Sequence, residues 1–122
     1  MPRLQRSLSQ SYTQEEIMKQ CKKCPWRVDV DPHDIPNGYC EEKHRALKNT
    51  IAEPGVLHAR PIRMMACHDS PVGGERPCVG WLHNQIGPGN NIPLRLYLRN
   101  HPELCKYELE GEQHETFEDT LP

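Results

Sequence analysis

Phenylalanine occurs once in this 122-residue chain, and aromatic residues together make up only 6% of it. Hydrophobic residues reach 35%, and the mean hydropathy is −0.83. Such a composition supplies little apolar area, so a small domain built from it needs a staple, either disulfides or a structural metal. Long apolar runs are missing as well. No stretch approaches the roughly 20 residues of a membrane-spanning helix, and residues 1–20 hold no apolar segment of the kind that directs secretion. The expected location is the cytoplasm, with no membrane association. Catalytic groupings are also scarce. There is no glycine-rich phosphate loop and no Ser, His and Asp constellation. His101-Pro102-Glu103 has the HxE look of zinc deaminases, but no PCxxC follows it. These absences point away from an enzyme.

Cysteine, by contrast, is present six times. In a compartment that keeps thiols reduced, a CxxC serves metal binding or redox chemistry more often than a structural bridge. Cys21-Lys22-Lys23-Cys24 is such a pair, with Pro25, Trp26 and Arg27 directly behind it. A thioredoxin-like role would require a βαβ setting, which the residues before the pair do not supply. Read as half of a tetrahedral site, the pair needs two more ligands. Two completions fit the spacing. One adds Cys67 and Cys78, and the other adds Cys40 and His44, four residues apart on one helix face, as in a compact zinc finger. His68 is a candidate replacement ligand beside Cys67. Cys78 stands where a helix is expected to begin, and the free N–H groups and positive potential there favour a thiolate. Trp26 and Trp81 are expected to pack around the site. Arg27 is expected to pair with a carboxylate such as Asp69 or to hydrogen-bond a ligand sulfur. Four thiolates with no open position describe a structural zinc site. A [4Fe–4S] cluster is the alternative cofactor, because four cysteines with a proline after one of them also suit iron–sulfur ligation.

The set formed by Cys21, Cys24, Pro25, Trp26 and Arg27, then Ala66, Cys67, His68 and Ser70, then Pro77, Cys78, Gly80, Trp81 and Leu82 resembles a family of small proteins from bacteriophages and bacteria, notably actinobacteria. That family has no known function. The resemblance spans about residues 20 to 100. It implies Cys21, Cys24, Cys67 and Cys78 as ligands, with His68 as a replacement, since Cys40 and Cys105 stand outside its motifs. It implies no activity.

Along the chain, residues 1–19 read as an arm that is disordered or ordered only by a partner. Within it and just beyond, Gln14–Gln20 has the composition of one or two helical turns capped by Thr13. Val28–Gly38 reads as a loop. Its aspartates do not make a calcium loop, because Asp34 and Cys40 stand where glycine and glutamate are required. Tyr39–Ile51 predicts a helix, ended by Glu53-Pro54-Gly55. Pro61–His68 alternates Ile62, Met64 and Ala66 against Arg63 and Met65, which predicts a short strand delivering Cys67. Cys78–Ile86 predicts a second helix. A third opens at Asn90-Asn91, takes Pro93 as a first helical residue and turns Leu94, Tyr97 and Leu98 inward. The fold class expected is a small, irregular, loop-rich α+β domain, stapled by metal, over residues 20–101.

The net charge of −2 hides an asymmetry. Residues 1–100 hold 14 Lys and Arg against 10 Asp and Glu, whereas residues 101–122 hold one Lys against seven acids. Residues 102–122 therefore read as an acidic mobile tail. The function expected is that of a small metal-binding interaction module. Its partner would be a protein or a nucleic acid, met by exposed cations such as Lys22, Lys23, Arg60, Arg63, Arg95 and Arg99. An iron–sulfur redox or sensor protein is the alternative.

Overall fold

The computed structural model describes residues 17–36, 38–57, 63–71 and 73–122. Its first element, β1 (Met18–Lys19), is a short strand, and three α-helices follow: α1 (Glu41–Ala46), α2 (Val79–Ile86) and α3 (Ile92–Leu98). The last strand, β2 (Tyr107–Glu108), runs parallel to β1, with Met18 opposite Tyr107 and Lys19 opposite Glu108. Among the described residues this is a mixed α+β domain with three helices and one two-stranded sheet. None of its helices is long and apolar enough to cross a membrane.

Local chemistry sets the helix boundaries. In α1, Glu41 and Glu42 occupy the first turn and Lys43, His44 and Arg45 the last, the arrangement the helix dipole favours. The α-helix is shorter than Tyr39–Ile51, because at Leu47–Thr50 the chain tightens into a 3-10 turn. There the Thr50 hydroxyl donates to the Leu47 carbonyl at 2.7 Å, the kind of local bond that competes with helix continuation. Asn91 caps α3 by accepting a hydrogen bond from the Leu94 amide at 3.0 Å, and Pro93 sits in the first turn. Leu94 and Leu98 are buried while Leu96 is exposed, a helical rather than an alternating pattern.

Three expectations are corrected. Residues 14–16 lie outside the described residues, but residues 17–20 are not helical. The Met18 and Gln20 amides donate to the Lys106 and Glu108 carbonyls instead, so pairing with β2 decides their conformation. Pro61 and Ile62 are likewise outside the described residues, and the rest of the expected strand reduces to a single antiparallel bridge, Ala66 with Pro77. The bridge fixes which face points inward. Met65 and Cys67 are buried and Ala66 is exposed. The third correction concerns the tail. Phe117 is 3% exposed and Thr120 1%, and both belong to the folded body. Acidity in this segment is confined to the surface, since Glu103, Glu108, Glu110, Glu112, Glu115, Glu118 and Asp119 are all exposed. Tyr107, Leu109 and Gln113 between them are half-buried.

The core gathers Trp26, Trp81, Leu82, Leu94, Leu98, Met65 and Phe117 together with the sulfurs of Cys24 and Cys78. The Trp81 indole donates to the Thr50 carbonyl at 3.1 Å, which ties α2 to the end of α1's 3-10 turn. His44 is buried under the C-terminal segment, 5.8 Å from Phe117 in an edge-on arrangement.

Candidate metal centre

Three short pieces of backbone deliver the sulfurs. The first is the CxxC knuckle, a turn closed by the Cys24 amide donating to the Cys21 carbonyl at 3.3 Å and followed by the Arg27 amide donating to the Cys24 carbonyl at 3.1 Å. The second and third flank the Ala66–Pro77 bridge. The Cys67 amide donates to Arg76 and the Cys78 amide to Met65, both at 2.8 Å, so Cys67 and Cys78 stand on opposite strands of one small ladder. Side chains alternate across such a ladder, which puts Met65, Cys67 and Cys78 on the same inward face. Cys78 is also the N-cap of α2.

The knuckle and the ladder meet in the core. Cys24 Sγ lies 3.6 Å from Cys78 Sγ, across 54 residues of sequence. Cys21, Cys24, Cys67 and Cys78 perturb one another's ionisation. Cys24, Cys67 and Cys78 are 1%, 6% and 4% exposed, and Cys21 is half-buried.

Without a cation, four such groups cannot all ionise. Hydrogen bonds from Cys21 and then Cys78 bring the Cys24 thiol down to about 3, while burial opposes this. A hydrogen bond from Cys21 likewise lowers Cys67 to about 6. Cys21 and Cys78 move the other way, raised first by the neighbouring Cys24 and further by burial. A divalent ion would relieve the repulsion among ionised thiols here.

His68 and Asp69 stand at the exposed corner. His68 Nδ1 and Nε2 are 3.9 and 4.0 Å from Cys21 Sγ, and His68 Nε2 is 3.4 Å from Asp69 Oδ1. One ligating atom from each of Cys21, His68 and Asp69 lies within 4.8 Å of the others. This Cys/His cluster could hold a metal ion. Asp69 as a member of it was not legible in the sequence as a ligand, although its place two residues after Cys67 is the available signal.

The alternative pair is not drawn together in this way. His44 Nε2 is 3.1 Å from Thr120 Oγ1, and that hydroxyl already donates its only proton to the Phe117 carbonyl at 2.6 Å. The imidazole therefore carries its proton on Nε2, and Nδ1 accepts from the Tyr39 hydroxyl at 2.7 Å. Both ring nitrogens are engaged. Cys40 is the N-cap of α1, half-buried, and lines with His44 a cleft of about 280 Å³ that reaches Cys78 and His68. Cys105 is exposed.

Trp26 and Trp81 are 1% and 0% exposed. Gly80 explains how closely α2 approaches the knuckle, because a Cβ there would fall 2.5 Å from Trp26 Cβ and 3.0 Å from Cys24 Sγ. Arg27 departs from expectation. It pairs with Asp29 rather than Asp69, through bonds of 3.0 and 2.8 Å, and donates to the Lys22 carbonyl at 3.0 Å, bracing the knuckle from outside. The two partners are near neighbours in a turn, so Asp29 reaches the guanidinium first. Lys22 and Lys23 are exposed at the knuckle tip. Arg99 is exposed at the end of α3, while Arg95 donates to the Ile86 carbonyl at the end of α2. Arg60 lies outside the described residues.

A family described as a family of unknown function (DUF6283) matches residues 17–120. The chain belongs to this family. The match takes in the knuckle, the ladder and the C-terminal segment through Thr120, so the packed acidic segment is part of the family's domain. No curated protein and no solved structure matches the chain.

Proposed function

We propose that the chain is a zinc-stapled interaction module, in which Cys21, Cys24, Cys67 and Cys78 hold one structural ion. The observation that carries this reading is the 3.6 Å approach of Cys24 Sγ to Cys78 Sγ inside the core. Two thiolates on one tetrahedral zinc, each about 2.3 Å from it, stand about 3.8 Å apart. In a [4Fe–4S] cluster each thiolate binds a different iron and the ligand sulfurs stand further apart, so the spacing favours a single ion. The composition supports the same reading. A domain with one phenylalanine gains from an ion that ties residues 21–24 to residues 67–78.

Elemental analysis of the protein purified anaerobically, without chelator, tests the staple: about one zinc per chain is expected, since structural zinc sites contribute on the order of 10 kcal/mol to folding. Iron with acid-labile sulfide would refute it in favour of the cluster, and metal-free folded protein would refute both. The module's partner is reached through Lys22 and Lys23 at the knuckle tip, with Arg99 on α3, and a nucleic acid is the partner class tested first. A mobility-shift titration should then show affinity falling steeply with salt and weakened in Lys22→Ala and Lys23→Ala. No binding at low salt would transfer the role to a protein partner.

A further inference from the structure

The metal centre is closed on three sides and open on one. Cys24, Cys67 and Cys78 are at most 6% exposed, whereas Cys21 is half-buried and the side chains of His68 and Asp69 are 22% and 41% exposed. Cys21 is thus shared between the four-sulfur centre proposed above and a wetter set with His68 and Asp69. The wet set has the dimensions of a coordination sphere. From zinc bond lengths, an imidazole nitrogen and a carboxylate oxygen on one tetrahedral ion stand about 3.4 Å apart, and a sulfur and a nitrogen about 3.6 Å. The structure has 3.4 Å between His68 Nε2 and Asp69 Oδ1 and 4.0 Å between His68 Nε2 and Cys21 Sγ. Three protein ligands would leave a fourth position open to water, so an ion there is less completely enclosed than one held by four sulfurs.

Resting on the staple proposed above, we infer that Cys21, His68 and Asp69 form a second, transient metal site, through which zinc enters and leaves the four-sulfur centre. A hydrated ion binds first at the exposed corner, where Cys21 gives up its proton to solvent and all but one of the ion's waters leave. The ion then moves inward while still held by Cys21. Cys24, Cys67 and Cys78 take over the positions of His68, Asp69 and the remaining water, and the protons of these thiols are released. The direction follows from ligand chemistry. Soft thiolates in a dry space hold zinc better than one imidazole and one carboxylate at the surface, so the ion rests inside. Release retraces the path, with His68 and Asp69 catching the ion as inner sulfurs let go.

Transfer of zinc from the loaded full-length protein to an excess of a chromophoric chelator tests this. His68→Asn and Asp69→Asn should each slow release about tenfold, in the range by which outer partners of metal sites act. Both variants should still be purified with one zinc per chain, which also reports that they fold. A cobalt experiment adds an independent readout. On mixing metal-free protein with Co2+, the wild type should show an early phase of weak thiolate charge transfer before the full four-sulfur spectrum, and both variants should lack that phase. Unchanged or faster release in both variants overturns the inference while leaving the staple intact. Loss of zinc from His68→Asn on purification also overturns it, because His68 would then be a permanent ligand. Absence of zinc from the wild type refutes the staple itself, and the inference with it.

Discussion

Replacing Gly80 by alanine separates two opposed expectations. Gly80 is the second residue of α2, and in an unhindered helix interior the change would add about 1 kcal/mol of stability by helix propensity. Here the new Cβ would meet Trp26 Cβ at 2.5 Å, Trp26 Cγ at 2.8 Å and Cys24 Sγ at 3.0 Å. Carbon atoms pack best about 3.5–4.0 Å apart, so α2 and the knuckle would have to separate by about 1 Å. Neither side can yield easily, since Trp26 and Cys24 are each 1% exposed and protein interiors are close-packed. Overpacking of this kind costs about 1–3 kcal/mol. With the upper value set against the propensity gain, Gly80→Ala should be less stable by about 2 kcal/mol, or about 8 °C in Tm for a domain of this size. The same displacement moves Cys24 away from Cys78, so the variant should also yield its metal to a weaker chelator. Thermal unfolding with saturating zinc, followed by circular dichroism, measures the first effect, and chelator competition measures the second. A Gly80→Ala protein as stable as the wild type, or more so, would refute the reasoning.

Three further outcomes are expected. Cys21→Ser, Cys24→Ser, Cys67→Ser and Cys78→Ser should each strip the metal or leave insoluble protein, while Cys40→Ser and Cys105→Ser should keep it; metal loss from Cys40→Ser with retention in Cys67→Ser would restore the compact-finger assignment. Phe117→Ala should cost about 3–5 kcal/mol in urea denaturation, the usual penalty for removing a buried phenylalanine, whereas a mobile tail would tolerate it. Burial first, and then the neighbouring Arg45, hold the His44 imidazole below its ordinary value. An imidazole depressed in the folded state gives stability that is complete above its unfolded value of about 6.5 and is lost as pH falls through the lower folded value. Wild type should therefore lose stability relative to His44→Gln as pH drops below about 6.5, and parallel curves for the two proteins would count against it.

The sequence by itself determined what is local. Asn91 as a cap, Pro93 in the first turn and the spacing of Leu94 and Leu98 specify α3 because capping and helical periodicity act within a few residues. The knuckle at Cys21 and Cys24 is legible for the same reason. What lies far apart in the chain was decided by tertiary structure. Spacing allows Cys40 and His44 as readily as Cys67 and Cys78, and only packing shows His44 spending both nitrogens on Tyr39 and Thr120 while Cys78 comes within 3.6 Å of Cys24. The alternation of residues 65–67 fits either register, and the ladder to Pro77 chooses the one that buries Met65 and Cys67. The acidic C-terminal segment looked unfoldable because seven charges dominate its composition. One buried phenylalanine and the pairing of Tyr107–Glu108 with Met18–Lys19 are enough to hold it, since its charges all face water.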